Sequence, residues 1–384
     1  MKVEDLPGLR LRTPISLVFA LFLSATAFGA ESWRLTSPAL YEVGVAAIAV
    51  DPRTPSTIYV GGHTGPTLRQ TAALLRSDDG GFTWRRFGIP GLSVQSLNLD
   101  PANPDVVYIG TYGGGFLKSV DRGESWTAFQ PSGLPWVSAA VLDRANPGTL
   151  YVAFAGAGIF RSTNSGETWT SISGPLGVIE EVVTSLALDP SAPNRLLAVA
   201  AGGLYRTDDG GTTWVLLSRV VDQILLAVPG ALYGGRDVGL VMSTDGGHTW
   251  SPIGAGLPPP GNASFRALIQ DPANPGVLYI GTAAAGVFRS MDGGRTWTPF
   301  NQGMTHRFVG ALLATPSGDP FLYAGTDAGL YDYRSRPEFQ TTLPAVASLH
   351  GVPPAFFHSD VWIFNGSAES EATVTATYRC LGGS

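Results

Sequence analysis

Short runs in which apolar and polar residues alternate recur through most of the chain. Runs such as Gly115–Ser119 and Gly286–Ser290 have the length and the period of two that are typical of β-strands. The chain also contains 49 glycines and 29 prolines, which indicates many turns between these runs. The pattern therefore predicts an all-β protein.

The runs are organised as a repeat of four segments. A first strand ends at Asp-Pro or a related turn, and a second and a third strand follow. A turn of the form S/T-x-D-x-G-x-x-W then leads into a fourth strand. Seven copies begin in this way, the fifth abbreviated at Leu225–Tyr233, and the turn tryptophans lie 36 to 47 residues apart. This period predicts a seven-bladed β-propeller with four-stranded antiparallel blades.

We call each S/T-x-D-x-G-x-x-W segment a box. The short acidic side chain can accept hydrogen bonds from turn amides, the glycine can take a positive φ, and the tryptophan can bury a large ring between blades. The third box has Asn instead of Asp, which keeps the acceptor and favours a structural role over a metal site. The six pairs of box residues are Asp79 and Trp84, Asp121 and Trp126, Asn164 and Trp169, Asp209 and Trp214, Asp245 and Trp250, and Asp292 and Trp297.

This box resembles the Asp box of the BNR-repeat β-propellers, and the resemblance covers about residues 31–336. Similar propellers occur in sialidases, xyloglucan-degrading glycoside hydrolases, sortilin-type receptors and photosystem II assembly factors. The resemblance implies the fold, but one fold supports many activities. The sialidase reading is disfavoured because the early Arg-Ile-Pro motif of that family is absent.

The two ends of the repeat region complement each other. The seventh repeat reaches Gly329–Tyr333 and has no box or tryptophan strand, whereas Glu31–Leu35 resembles the fourth strand Glu124–Ala128 but has no strands before it. Closing the ring with this spare strand removes two unpaired sheet edges. We therefore predict that Trp33 lies in the seventh blade.

The first thirty residues have the features of a signal peptide. Basic residues precede an apolar run from Ile15 to Leu23. Ala25-Thr26-Ala27 fits a cleavage site, and cleavage after Ala30 is the alternative. The prediction is export to the periplasm, the cell surface or the medium, without stable membrane insertion once the signal is removed. A retained N-terminal anchor is the alternative.

Residues 337–384 follow the repeats and are expected to form a linker and a partial immunoglobulin-like β-sandwich. Asp360–Phe364 and Ala372–Tyr378 alternate like the strands of a hairpin. Two strands cannot bury a core of their own. Either the sandwich continues beyond Ser384, or the hairpin packs on the propeller.

Composition narrows the range of partners. The net charge is −6 and only 14% of residues are charged, so nucleic acid is not an expected partner. The single cysteine, Cys380, allows no intramolecular disulfide. The five histidines are scattered without metal-ligand spacing, so we expect no metal and no cofactor. A monomer is expected.

These features favour an exported, non-catalytic propeller that acts as a binding or scaffold module for a protein or a polysaccharide. The alternative is a glycoside hydrolase acting on a β-glucan such as xyloglucan. A glycosidase needs two carboxylates about 5–10 Å apart, and the sequence assigns no such pair. The loop carboxylates to inspect are Glu42, Glu180, Glu181, Asp222, Asp237 and Asp327.

The predicted strand order places the boxes and the first-to-second strand turns on one face, so the remaining loops form the opposite face. Aromatic and arginine side chains are frequent anchors of interfaces. Trp136 is the strongest candidate because no box explains it, although it could instead plug the channel mouth. The candidate binding residues of this face are Tyr41, His63, Tyr112, Trp136, Arg236, Asp237, Phe265, His306 and Asp327.

Overall fold

A computed structural model gives the arrangement of most of the repeat region. Residues Glu31–Ser335 form one compact unit. Within the described part of the chain, no helix is long and apolar enough to cross a membrane. The described residues are 32–65, 71–131, 136–174, 183–192, 194–200, 202–236, 239–259, 264–316, 322–334, 340–342 and 360–362.

Seven antiparallel sheets of four strands make up this unit, which confirms the seven-bladed all-β propeller. Blades one to three contain β2 (Val43–Val50), β3 (Ile58–Thr64), β4 (Thr71–Ser77) and β5 (Arg85–Phe87); β6 (Ser93–Leu99), β7 (Val107–Tyr112), β8 (Phe116–Ser119) and β9 (Thr127–Phe129); and β10 (Val137–Leu142), β11 (Leu150–Phe154), β12 (Gly158–Ser162) and β13 (Thr170–Ser171).

The remaining blades follow the same order. Blades four to six contain β14 (Val183–Leu188), β15 (Leu196–Ala200), β16 (Gly203–Thr207) and β17 (Val215–Ser218); β18 (Gln223–Val228), β19 (Ala231–Arg236), β20 (Gly239–Ser243) and β21 (Ser251–Ile253); and β22 (Phe265–Gln270), β23 (Leu278–Thr282), β24 (Val287–Ser290) and β25 (Thr298–Pro299). Blade seven contains β26 (Val309–Ala314), β27 (Leu322–Thr326), β28 (Gly329–Arg334) and β1 (Ser32–Leu35), and a 3-10 turn, Pro38–Leu40, follows β1.

The N-terminal strand β1 closes the ring, as predicted. It pairs antiparallel with β28, so that Trp33 lies opposite Tyr333 and Leu35 opposite Tyr331. Trp33 is only 2% exposed, and its ring meets Phe300 and Tyr333 edge-on at centroid distances of 6.0 and 5.4 Å. Its Nε1 donates to the Phe300 carbonyl at 2.7 Å. The strand therefore fills the outermost position of blade seven.

Hydrophobic clusters between neighbouring blades hold the ring together. Seven clusters are present among the described residues, and each joins two sequential blades, including blade seven to blade one. Tyrosines of the second strands reinforce two of these interfaces: Tyr108 donates to the Ser165 carbonyl at 3.3 Å, and Tyr233 donates to the Gly293 carbonyl at 3.1 Å. In both cases the hydroxyl contacts the box of the following blade.

One tryptophan packs against each cluster, but the seven rings are not equally buried. Trp33, Trp214 and Trp297 are buried. The indoles of the other four boxes are half-buried, because part of each ring faces solvent beside its turn; these are Trp84, Trp126, Trp169 and Trp250.

The sixth box shows how these turns are held. Asp292 Oδ1 accepts the Thr296 amide at 2.9 Å, and its Oδ2 accepts the Thr296 hydroxyl at 2.6 Å. The buried Ser290 hydroxyl accepts the Gly294 amide at 2.8 Å and donates to Asp292 at 2.8 Å. Gly294 has a φ of 89°. The box is thus a compact network that satisfies its own turn amides.

The third box reaches the same geometry without a charge. Asn164 Oδ1 accepts the Thr168 amide at 2.9 Å, and its Nδ2 donates to the Thr168 hydroxyl at 2.9 Å. In the charged boxes the hydroxyl and amide donors hold the carboxyl pKa low, at about 2 for Asp121, Asp209 and Asp292. Among the described residues, no three His, Cys, Asp or Glu side chains gather closely enough to hold a metal ion.

Two short strands lie outside the propeller unit. β29 (Gln340–Thr342) pairs antiparallel with β30 (Asp360–Trp362). The sequence predicts a hairpin between Asp360–Phe364 and Ala372–Tyr378, and the second of these two runs lies outside the described residues. Thr341 and Thr342 have high strand propensity, which suits them to this pairing.

Ring closure generates the first prediction. Trp33→Ala should lower the free energy of unfolding by about 3–5 kcal/mol, because it removes a buried indole and loosens β1. Leu216→Ala, at an exposed position of the outer strand β17, should have almost no effect. Thermal unfolding of both variants checks this. An unchanged melting temperature after deletion of Glu31–Ser37 would contradict ring closure.

The box network generates the second prediction. Asp292→Ala should cost about 1 kcal/mol, because the Thr296 amide and hydroxyl lose their acceptors at a partly solvated site. Asp292→Asn should cost less, since Asn164 already makes the equivalent bonds in the third box. Chemical denaturation of the two variants measures the difference. Equal losses for Ala and Asn would contradict this account, because Asn should restore the hydrogen bonds that Ala removes.

The low carboxyl pKa values generate the third prediction. A group whose pKa is lower in the folded state contributes stability above its unfolded pKa of about 3.9, and this contribution disappears as the pH falls through the folded value. The melting temperature should therefore decrease between about pH 4 and pH 2. Asp292→Asn should show a shallower decrease than the wild type over that window, and parallel curves would contradict this origin.

Candidate functional site

The strand order creates two chemically different faces. In every blade the first-to-second strand turn lies at one end of the sheet, together with the box in blades one to six. The remaining connections lie at the other end, which we call the loop face. Each innermost strand contacts the innermost strands of both neighbouring blades, so these strands form a closed inner ring. The loop face therefore surrounds the mouth of a central channel.

An exposed apolar patch lies on the loop face at blades two and three. It consists of Leu92, Tyr112 and Trp136, which are 46%, 39% and 41% exposed. The rings of Tyr112 and Trp136 meet edge-on with centroids 4.7 Å apart and planes at 71°. We call these three residues the aromatic patch. Exposed apolar patches can mark binding sites.

Backbone hydrogen bonds fix the patch in place. The Leu92 amide donates to the Tyr112 carbonyl at 2.7 Å, and Tyr112 and Trp136 form an antiparallel bridge. The Trp136 carbonyl accepts the Ala155 amide at 3.0 Å. Gly91 has a φ of 107°, and an added Cβ would approach the Tyr112 carbonyl to 3.0 Å, so glycine is required beside the patch. A preformed surface loses little entropy on binding.

The other predicted residues on this face differ in accessibility. Tyr41 is exposed beside the start of β2. His63, near the end of β3, is half-buried with its ring against Gly44, and burial lowers its pKa, so the ring is neutral at neutral pH. Phe265 is only 6% exposed and packs in the core between blades five and six. Its ring is therefore not available to a ligand.

Two predicted residues of blade seven come together. His306 Nδ1 lies 3.8 Å from Asp327 Oδ1, and both side chains are substantially exposed. The backbone of Arg236 ends β19, but its side chain and Asp237 lie outside the described residues. His306 and Asp327 thus form a polar pair that joins two connections of the loop face.

The loop carboxylates are spread around the ring. Glu42 precedes β2, Asp222 precedes β18, and Asp327 follows β27. Glu180 and Glu181 lie outside the described residues, as does Asp237. Asp222 belongs to a different part of the ring from the other two described carboxylates. Among the described residues, the structure does not assign any two of these carboxylates to the pair that a glycosidase needs.

Each innermost strand also contains a register shift near its first residue, and each shift leaves one extra residue without a cross-strand partner. Such bulges re-aim side chains and are frequent beside functional sites. We call these seven positions the bulge ring; they are Ala46, Gln95, Ser138, Thr184, Leu225, Arg266 and Gly310. Sequence periodicity cannot find them, because a bulge shows only in the register between strands.

Bulge-ring residues contact the entry of the next blade. The Thr184 hydroxyl donates to the Asp222 carbonyl at 2.9 Å, and the guanidinium of Arg266 lies 5.6 Å from the ring centroid of Phe308. Gly310 lies against the backbone of Val45. The ring is therefore part of the channel mouth.

Solved structures share this fold. Neither the protein-family models nor the curated proteins contain a match to the chain. A GH74 xyloglucanase from Xanthomonas campestris is similar, with 18% identity, a TM-score of 0.63, and coverage of 78% of this chain and 53% of the enzyme. YCF48 bound to D1 peptide is similar with 18% identity, a TM-score of 0.59, and coverage of 82% of this chain and 100% of YCF48.

PorZ, a bacterial surface component of the type-IX secretion system of Porphyromonas gingivalis, is similar with 17% identity, a TM-score of 0.57, and coverage of 73% of this chain and 45% of PorZ. The chain thus spans about half the length of the xyloglucanase and of PorZ, and all of YCF48. At these identities the similarity shows a shared fold and does not assign an activity.

Proposed function

We propose that the chain is an exported, non-catalytic β-propeller that binds a protein or a polysaccharide through its loop face and acts as a binding or scaffold module. The aromatic patch carries this proposal, because Tyr112 and Trp136 are exposed, in contact and held by backbone hydrogen bonds. Exposed, rigid aromatic side chains are the usual anchors of interfaces.

The comparisons supply a precedent for this use of the fold. YCF48 is similar to this propeller over its whole length, and its structure contains a bound D1 peptide. PorZ is a surface component of a secretion system. These likenesses support a protein ligand without identifying it.

Location and assembly belong to the same proposal. The N-terminal residues 1–30 act as a signal for export, and the mature chain works as a monomer in the periplasm, at the cell surface or outside the cell. Its binding needs no cofactor or metal ion and involves no nucleic acid. The BNR-type boxes serve as structural turns.

A glycoside hydrolase acting on a β-glucan is the second candidate, and the likeness to the xyloglucanase supports it. Glu42 and Asp327, on connections of adjoining blades, are the carboxylates to test for this activity. Against it, the enzyme is about twice as long as the matched region.

Removal of the patch tryptophan generates the fourth prediction. Trp136→Ala should weaken binding about tenfold or more, because an interface aromatic is lost, and should leave the melting temperature nearly unchanged, because the ring is 41% exposed. Binding is measured on soluble β-glucans by affinity electrophoresis and on envelope proteins by quantitative pull-down. Arg236→Ala, at the end of β19, should also weaken binding and leave the fold intact.

Phe82→Ala is the matched control, because it removes an exposed aromatic ring from the first box, on the opposite face. Equal binding by Trp136→Ala and the wild type would contradict the proposal. Release of reducing sugar from a β-glucan, abolished by Glu42→Gln or Asp327→Asn, would replace the binding module with the glycosidase.

A further inference from the structure

Arg266 differs from the other positions of the bulge ring because it alone carries a charge. Its side chain is exposed, and its guanidinium carbon lies 5.6 Å from the ring centroid of Phe308. Phe308 is itself 37% exposed and lies at the entry to β26. The channel mouth therefore presents a cation beside an accessible aromatic ring.

No carboxylate pairs with Arg266 among the described residues. Several other arginines of the propeller are paired with carboxylates: Arg85 makes two hydrogen bonds of 2.6 Å to Glu124, and Arg195 lies 2.6 Å from Asp208. Arg307, next to Phe308, is exposed too, and no described carboxylate pairs with it. A planar guanidinium with free donors is suited to bind a carboxylate in a bidentate manner.

The backbone beside Arg266 is already hydrogen bonded within the propeller. In the described sheet, β22 is an edge strand, hydrogen bonded to β23 on one side. The Phe265 carbonyl on this edge accepts the side-chain amide of Gln223 at 2.9 Å. Because Gln223 already occupies this carbonyl, the groups at this position that can contact a ligand are the side chains of Arg266 and Phe308.

We propose that Arg266 and Phe308 form a binding position for a carboxylate of an acidic polypeptide at the channel mouth. Arg266 binds the carboxylate, and Phe308 holds the guanidinium in place and packs against the neighbouring apolar part of the ligand. This inference rests on the proposed function, since it assigns a ligand class to the same loop face, and it favours a polypeptide over a neutral polysaccharide.

The test compares two pools of short fluorescent peptides by anisotropy. Both pools are randomised among neutral residues, with Glu fixed at the centre of one and Gln at the centre of the other. The wild type should bind the Glu pool about tenfold more tightly than the Gln pool, the size expected for one charge-assisted interaction. Arg266→Gln should abolish this preference, and Arg266→Lys should retain part of it.

Arg144→Gln is the matched control, because it makes the same change of charge at an exposed turn on the opposite face. It should keep the preference for Glu. Equal binding of the two pools by the wild type, or equal losses in Arg266→Gln and Arg144→Gln, would overturn the carboxylate position. Binding of polygalacturonate without binding of the Glu pool would overturn the polypeptide assignment.

Trp136→Ala separates this inference from the proposed function. If Trp136→Ala weakens binding of both pools and Arg266→Gln leaves both affinities unchanged, the loop face binds peptides but Arg266 does not bind a carboxylate. If neither pool binds and Trp136→Ala still weakens binding of a β-glucan, the loop-face function stands and the acidic polypeptide is wrong. If Arg266→Gln acts and Trp136→Ala does not, the inference stands and the aromatic patch is not the anchor.

Discussion

The pairing of β1 with β28 is the contact on which the rest of the propeller depends. Each blade buries its apolar surface only against its two neighbours, so an open ring would expose the facing sides of blades seven and one. The β1–β28 pair ties the start of the repeat region to its end, and Trp33 anchors β1 in blade seven by packing on Tyr333 and on Phe300 of blade six. Because the two strands come from opposite ends of the repeat region, the blades are expected to gain and lose their structure together.

Closure of the ring also determines how rigidly the loop face is held. Loops on a closed ring start and end on fixed strands, and several of them are bonded to one another, as at Leu92 and Tyr112. The aromatic patch and the bulge ring are consequently held in fixed positions before any ligand arrives. Such preorganisation favours recognition by a few anchoring side chains instead of a large adaptable surface.

The sequence was sufficient for the blades and for the closing strand, because box spacing and the unmatched Trp33 strand are local patterns that repeat. It also named Tyr112 and Trp136, which are exposed and in ring contact, and their role in binding stays a prediction. It was misleading at Phe265, whose ring is buried, whereas the adjacent Arg266 is exposed. The prediction placed Phe265 in a loop, whereas it begins β22 and packs in the core between blades five and six. Where a strand begins depends on its pairing with a neighbour, which alternation along one strand does not reveal.

Hydrogen–deuterium exchange of the native protein tests most directly whether β1 completes a single cooperative ring. If it does, the amides of Ser32–Leu35 that bond to β28 should exchange as slowly as those of the second strands, such as β3 and β23, through global unfolding. Exchange of Ser32–Leu35 at rates near those of an unfolded chain, with the second strands still protected, would show that the ring is stable without its closing strand.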